Sequence, residues 1–289
     1  MPTSSLPVLG DQEFRFLQQL MVEASGIHLS DSKRPLVAGR LMRRLRALNL
    51  SSYRDYLALL KDPTKQAEQR LVIDLLTTNE TYFFREPQHF QFLARWLDGR
   101  REPLRIWSAA CSSGEEPYTL AMVLAEHGPA DWSILGSDLS RTVLEKAEAA
   151  IYPMDESSDF PPGWLKRHCL RGIGDHEGAF RLGQGLRQRV RFRELNLMRP
   201  LPDDIGSFDV VFLRNVLIYF SAADKRAIVA RLLERLRPGG LLFIGHAESL
   251  HGFGLPLRSV ASSVFERLRP RHVFSCPAST CSASIPSRW

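Results

Sequence analysis

The chain has no run of about 18 consecutive apolar residues, so no membrane-spanning helix is expected. Its first residues, Met1-Pro2-Thr3-Ser4-Ser5, carry neither the basic segment nor the apolar core of a secretion signal. A cytoplasmic location, without membrane insertion, is the expectation. Cysteine is scarce, with Cys111, Cys169, Cys276 and Cys281 its four occurrences. Their spacing fits no zinc pattern and no small disulfide framework, so no metal is expected. A dinucleotide fingerprint is also missing. G-x-G-x-x-G needs three glycines for close approach of a pyrophosphate, and the turn at 109–114 has only Gly114. This weakens a nicotinamide or flavin reading. No internal repeat is visible.

What is present is an ordinary globular composition, 44% hydrophobic and 24% charged, in a chain of 289 residues. That length makes one large domain or two modest ones. The net charge of +6 points to an acidic partner surface, which leaves nucleic acid, membrane and acidic protein open. Two clusters hold much of the excess. One is Lys33, Arg34, Arg40, Arg43, Arg44 and Arg46. The other is Lys166, Arg167, Arg171, Arg181, Arg187, Arg189, Arg191 and Arg193.

Residues from about 11 to 76 read as helices. Phe14, Leu17, Leu20, Met21 and Ala24 repeat at three and four residues, and Gly26 stops that helix. A second helix, from about Lys33 to Leu48, buries Val37, Leu41, Leu45 and Leu48 and gathers Lys33, Arg40, Arg43 and Arg44 on one exposed flank. Ser51 or Ser52 caps a third helix with Tyr53, Tyr56, Leu57 and Leu60, and a fourth carries Leu71, Val72, Leu75 and Leu76. From Glu86 the pattern becomes alternating helices and strands. The expected strands are Arg105–Ala109, Trp132–Ser137, Val190–Leu195, Phe208–Leu213 and Gly240–Gly245. Pro238-Gly239-Gly240 ends the helix Ala222–Leu236. Such alternation implies a mostly parallel, doubly wound sheet.

Between Tyr152 and Arg189 prolines and glycines break the alternation, which reads as an inserted antiparallel β unit with Ala179–Leu182 as its open edge. The expected organisation is therefore a helical domain over 1–85 and an α/β domain over 86–269, with the β insert at about 153–189. The Ser- and Pro-rich stretch 270–289 reads as a disordered tail.

Ser108-Ala109-Ala110-Cys111-Ser112-Ser113-Gly114-Glu115-Glu116-Pro117-Tyr118 ends an apolar strand and opens a helix, where a doubly wound fold holds a nucleotide-like cofactor. Two carboxylates there would repel a phosphate. A sulfonium cofactor with an adenosine and an amino acid suits the turn better. Asp138 ends the second strand, where an acid commonly bonds ribose hydroxyls. Its alternative role is to cap the helix starting near Arg141. Asn196 and Arg214-Asn215 follow two further strands, and carboxyl ends of parallel strands converge on one crevice. Each of these alone also fits an ordinary loop or cap residue.

Thr78-Asn79-Glu80-Thr81-Tyr82-Phe83-Phe84-Arg85-Glu86, Ser113-Gly114-Glu115-Glu116-Pro117-Tyr118, Ser137-Asp138-Leu139-Ser140, Asn196-Leu197, Phe212-Leu213-Arg214-Asn215-Val216-Leu217-Ile218-Tyr219-Phe220 and Gly245-His246-Ala247-Glu248-Ser249-Leu250 together resemble the chemotaxis receptor methyltransferases, the CheR family. The resemblance runs from about Phe14 to Leu268. It implies an N-terminal helical bundle followed by a Rossmann-like methyltransferase domain, whose Val260–Leu268 segment is a last, reversed strand. The implied cofactor is S-adenosylmethionine (SAM), with S-adenosylhomocysteine (SAH) as product. The implied cofactor contacts are Asn79, Thr81, Arg85, Glu115, Asp138, Asn196, Leu197, Arg214 and Asn215. Glu115 is preferred over Glu116 for the cofactor side. Arg85 and Tyr219 are the implied catalytic residues, at the mouth where the acceptor enters.

The implied reaction moves a methyl group to glutamate side chains in the cytoplasmic helical region of chemoreceptors, which the basic helix Lys33–Arg46 would engage. The loop Arg171-Gly172-Ile173-Gly174-Asp175-His176-Glu177-Gly178 resembles members whose β unit adds a receptor tail peptide as an extra strand. A SAM-dependent RNA methyltransferase is the rival reading, since basic clusters suit phosphates. No Asn-Pro-Pro-Tyr-type or paired-cysteine base-methylation signature accompanies it, so no nucleic-acid partner is expected. A SAM-binding adaptor without catalysis is the other alternative.

Overall fold

The computed structural model describes residues 7–269. The proposed tail at 270–289, with Cys276 and Cys281, lies outside the described residues.

Four helices form the N-terminal bundle: α1 (Asp11–Ser25), α2 (Arg34–Ala47), α3 (Tyr53–Leu60) and α4 (Gln66–Leu76). Their apolar stripes close on one core of Phe14, Leu17, Met21, Val37, Leu41, Tyr53, Tyr56 and Val72. Gly26 ends α1 in the left-handed conformation that favours glycine, and Ser52 caps α3 by accepting from the Asp55 N–H at 3.1 Å. The helix expected from Lys33 begins one residue later, after a short turn of 3₁₀ helix at Asp31–Lys33.

The basic flank of α2 differs from the sequence expectation. Arg44 pairs with Glu68 through Nε at 2.8 Å and Nη2 at 2.5 Å, and Tyr56 donates to the same carboxylate at 2.7 Å. Arg40 donates to the Leu75 and Thr77 carbonyls. A carboxylate and two carbonyls at the end of α4 attract these guanidiniums, so Arg43 and Arg46 remain on the exposed side.

The second unit is a seven-stranded sheet in the order β6-β2-β1-β7-β8-β10-β9. Five strands run parallel: β1 (Leu104–Ala109), β2 (Trp132–Asp138), β6 (Val190–Glu194), β7 (Phe208–Leu213) and β8 (Leu236–Ile244). Strand residues alternate between the faces, and both faces are covered, as parallel sheets require. Ile106, Val210, Phe212 and Phe243 meet α5 (Pro87–Leu97) and α6 (Glu115–His127) on one face. Trp107, Val211, Leu213 and Leu242 meet α10 (Ala222–Arg235) on the other. Helix α7 (Arg141–Ala149) links β2 to the insert.

Three expectations are corrected. Val260–Leu268 is not one strand. β9 (Leu257–Ala261) and β10 (Val264–Arg267) form a hairpin through Ser263, at φ 58°, and both run antiparallel to their neighbours. Pro238-Gly239-Gly240 does not precede β8 but lies within it. The register there slips from Phe208↔Leu236 to Val210↔Leu241, so the prolyl-glycyl pair forms a bulge. The insert is a three-stranded sheet of β3 (Ile151–Pro153), β4 (Cys169–Arg171) and β5 (Ala179–Leu182) in the order β3-β5-β4. Ala179–Leu182 is thus the central strand, held on both sides, and the open edges belong to β3 and β4. Short helices at Trp164–His168 and Gln184–Arg187 complete the insert.

Candidate active site

In chain order β1, β2 and β6 run to one side of the sheet, and β7 and β8 to the other. The order reverses between β1 and β7, and a crevice opens outside the carboxyl ends of strands at such a switch point. A cleft of about 420 Å³ lies there, roofed by the bundle. Its wall takes Ile27, Lys33 and Leu36 from the bundle side, Ala110, Cys111 and Ser112 from the turn after β1, and Val216 and Ile218 from beyond β7.

The turn after β1 is held in an unusual backbone path. Ala110 (φ 60°), Ser112 (φ 50°) and Gly114 (φ 101°) are all left-handed. Such a path persists only where neighbours enforce it. Here Ser112 N–H donates to Asp138 Oδ2 at 2.8 Å, Ser112 Oγ to the Asn79 carbonyl at 3.0 Å, and Cys111 N–H to the Ser137 carbonyl at 2.8 Å. A Cβ on Gly114 would meet the Tyr152 hydroxyl at 2.7 Å and the Ala147 Cβ at 2.8 Å, so only glycine fits. Tyr152 donates to the Ser113 carbonyl at 2.8 Å, which ties the β insert to the turn. The Cys111 thiol is buried, and burial pushes its pKa well above the usual thiol value, so it acts as a small packing group.

Asp138 does not cap α7, whose N-cap is Ser140, accepting from Val143 N–H at 3.4 Å; it braces that cap residue and reaches the cleft. Its Oδ1 accepts from Ser140 N–H at 3.0 Å, and its side chain forms part of the cleft wall. Burial raises its pKa, against the lowering effect of these N–H donors.

The two turn glutamates point in different directions. Glu115 accepts from Ser113 Oγ at 2.8 Å and is buried away from the cleft wall. Burial pushes its pKa up to about 7. Glu116 lines the cleft, accepting from Ser108 Oγ at 2.6 Å and pairing with Arg214 Nη1 at 3.0 Å. Successive residues on a helix project about 100° apart, so only one of the pair can face the crevice. The structure places Glu116 there, whereas the sequence reading preferred Glu115.

Arg214 is the hub of the site. Its side chain is buried between Glu116 and Glu86, with Nη2 at 3.0 Å from Glu86 Oε2 and also donating to the Arg85 carbonyl. Burial raises the Glu86 pKa, but Arg214, the Asn215 Nδ2 donor and the His246 N–H outweigh it, and the net shift is downward. For Glu116 burial prevails and the shift is upward. Glu86 has φ 58° and Phe84 φ 57°, so the segment before α5 is sharply bent. Buried Phe83 and Phe84 pack against Tyr152, Phe160 and Trp164, and Phe84 N–H donates to Thr119 Oγ1 at 3.2 Å. The bend carries Asn79, Thr81, Tyr82 and Arg85 along the cleft. The Arg85 guanidinium lies over the Tyr82 ring at 5.6 Å and donates to the Glu80 carbonyl.

Of the residues named from sequence, Asn79, Thr81, Arg85, Asp138, Arg214, Asn215 and Tyr219 meet at this cleft. Asn196 and Leu197 do not line it. Asn196 Nδ2 donates to the Ala24 carbonyl and its Oδ1 accepts from Met198 N–H, which ties the sheet to the end of α1. Leu197 is buried in the core under α10. Sequence reasoning assigned no role to Glu86 or Glu248, and held Glu116 only as the less favoured alternative to Glu115. Glu248 accepts from the N–H groups of Gly245, Asn215 and Leu217, so it fixes the loop that bears Asn215. The signal was present in Gly245-His246-Ala247-Glu248, as a carboxylate three residues beyond a strand end.

The wall offers carboxylates at Glu116 and Asp138, the buried guanidinium of Arg214, and apolar surface from Ile27, Leu36 and Phe90. A ligand with an ammonium, a carboxylate, ribose hydroxyls and a flat base finds a partner for each part. These residues therefore fit SAM. A doubly wound sheet with such a cleft defines the class, a Rossmann-like methyltransferase.

Comparison with known proteins carries this further. The family described as "CheR methyltransferase, SAM binding domain" matches residues 79–265, and "CheR methyltransferase, all-alpha domain" matches 12–77. The chain is 43% identical over 244 residues to the Salmonella typhimurium chemotaxis protein methyltransferase, covering 83% of this chain and 85% of that one. It has the same identity and coverage with the Escherichia coli protein of that name. It is 41% identical over 281 residues to chemotaxis protein methyltransferase 2 of Pseudomonas aeruginosa, covering 92% and 99%. The chain belongs to the CheR methyltransferase family, and it is a SAM-dependent methyltransferase of chemotaxis. Among the described residues no helix is long and apolar enough to cross a membrane.

Proposed function

We propose that this enzyme esterifies glutamate side chains in the cytoplasmic helical region of chemoreceptors. The observation that carries the reading is the polarity of the cleft. Its buried acids are already engaged by Arg214 or by backbone N–H groups, while Lys33, Arg85 and the Tyr219 ring stand along its length. When bound, SAM supplies a methyl group on a sulfonium centre. A glutamate carboxyl, with a reference pKa of about 4.3, is ionised near neutral pH and needs no general base. The residues then have only to align and shield, so positioning supplies the catalysis. Arg85 steers the acceptor carboxylate, and Tyr219 closes the mouth beside it. Glu116 and Arg214 meet the amino-acid end of the donor. Asp138 meets its ribose, with Asn79, Thr81 and Asn215 completing the contacts.

On the partner side, Lys33 in the turn before α2, and Arg43 and Arg46 on α2, offer positive charge to an acidic receptor helix. The exposed edges of the β insert offer backbone donors to a receptor tail peptide. Relatives named for chemotaxis support a receptor over RNA, and the intact cleft supports catalysis over a silent adaptor. The test is transfer of labelled methyl from SAM to purified receptor. Label in protein released by mild alkali as methanol supports the ester, and label incorporated into RNA instead would move the enzyme to the rival class.

A further inference from the structure

Behind Arg214, off the wall of the cleft, lie three groups with metal-binding chemistry. Glu86, His89 and His246 each present one ligand atom, and the three atoms lie within 4.8 Å of one another. Glu86 and His89 come from the start of α5, and His246 from the turn that ends β8. The His89 residue is only 1% exposed, yet neither ring nitrogen makes a hydrogen bond of normal geometry; the Ser262 backbone is only a loose neighbour, and Nδ1 stands 3.4 Å from Glu86 Oε2. Unpartnered buried polar groups are rare and call for an explanation. Its ring meets that of His246 edge-on, with centroids 4.7 Å apart. His246 is exposed, so an ion has a path in from solvent.

We propose that Glu86, His89 and His246 form a site for a borderline divalent cation such as zinc, and that the ion competes with Arg214 for Glu86. Two imidazoles and a carboxylate are a common three-residue zinc set, with water in the remaining position. Zinc bonds to nitrogen and oxygen of about 2.0–2.2 Å put tetrahedral ligand atoms about 3.4 Å apart, the spacing His89 Nδ1 and Glu86 Oε2 already have, so the exposed His246 ring has to close in by up to about 1.4 Å. The backbone beneath it is already fixed, because His246 N–H donates to Glu86 and Glu248 holds Gly245. The ion's competitor is the Arg214 guanidinium, 3.0 Å from Glu86 Oε2. A cation of charge two beside it drives Arg214 toward its second carboxylate, Glu116. That movement releases the Arg85 carbonyl and reshapes the cleft wall. Zinc therefore antagonises the methyl donor, and by linkage the donor weakens zinc to the same degree.

The test is calorimetric titration of zinc into the full chain, freed of metal and of SAM. The expected result is one equivalent bound at micromolar concentrations, weakened at least about tenfold in His246→Ala, since losing a ligand costs at least as much as losing a ligand's support. Saturating SAH is expected to weaken zinc binding in the wild type. No stoichiometric binding, or equal binding by wild type and His246→Ala, overturns the site. Zinc affinity unchanged by SAH overturns the competition, and a separate SAH titration shows whether SAH occupies the cleft at all. The zinc and His246→Ala arms stand without reference to methyl transfer.

Discussion

At the scale of single residues, the site is organised by which carboxylate Arg214 holds. Glu116 shares its guanidinium and faces the cleft, whereas Glu115 is turned into the packing around Ser113. Glu116→Gln is expected to weaken SAM binding measured by calorimetry, and Glu115→Gln to leave it nearly unchanged. The reverse order would show that the helix start rotates when the donor binds. Asp138→Ala removes a buried acceptor, and its expected loss of SAM affinity is roughly 1–3 kcal/mol, the usual cost of an unmade buried hydrogen bond. Unchanged affinity there would remove Asp138 from the cofactor contacts.

Glu115 also carries a pH signature. Its folded pKa is pushed up to about 7 from 4.5, first by burial and then by the charge of Glu156, with Ser113 and Lys146 opposing. The folded state therefore favours the protonated acid. Its stabilising contribution is complete below pH 4.5 and is lost as pH rises toward 7, at about 1.4 kcal/mol per unit. Glu115→Gln keeps the neutral shape, so its stability relative to wild type should climb between pH 5 and 7.5 in denaturant titrations. A flat difference would mean that water reaches the carboxylate.

At the scale of elements, α2 shows why charge placement was only partly legible. Helical spacing put Lys33, Arg40, Arg43 and Arg44 on one exposed flank, but Arg40 and Arg44 turn inward. It could not show that Glu68, from another helix, draws Arg44 inward. Arg44→Ala leaves the Glu68 carboxylate with only the Tyr56 hydroxyl as a partner, and should destabilise the bundle by about 1–3 kcal/mol in thermal or chemical unfolding. A variant meant to test receptor docking should instead change Arg43 and Arg46, which avoid both the internal pairs and the cleft wall. With those two replaced by Ala, receptor methylation is expected to fall, SAM binding to persist, and the salt sensitivity of wild-type methylation to shrink. Normal methylation by this variant would make the flank a merely solvated surface.

The β insert gives a second case. Glycines and prolines marked where the sheet-crossing pattern stopped, but strand order depends on distant pairing, and Ala179–Leu182 is central. Gly172 N–H donates to the Ala179 carbonyl, so by the alternation of an antiparallel ladder the Leu170 N–H faces β5 and the Arg171 N–H faces outward. Leu170 is 59% exposed beside it. Arg171→Pro should remove tail-peptide binding while sparing the fold, whereas Phe180→Pro should disrupt the insert itself. If peptides bind Arg171→Pro normally, the β4 edge is not the docking edge.

At the scale of the whole molecule, the bundle and sheet together make the cleft. Asn196 reaches the Ala24 carbonyl, Thr142 donates to Asp74, and His28 N–H donates to the Tyr219 carbonyl. Period and turn chemistry revealed the helices, the parallel strands and the strand-end polar groups, because these are local signals. Asn196 reads locally as a strand-end polar group for the same reason, since it follows a strand. The carbonyl its side chain bonds lies 172 positions away, a distance that no local pattern spans. Glu86 was likewise hidden, as its meaning depends on Arg214, Asn215 and His246 arriving from other strands.

The most direct test of the central claim is a methyl-transfer assay with labelled SAM, purified chemoreceptor and this enzyme, followed by mild alkaline treatment. The account predicts label on the receptor that alkali releases as methanol, lost when receptor glutamates are changed to Ala and falling with rising salt. Label that resists alkali, or that appears on RNA and not on receptor, would contradict it.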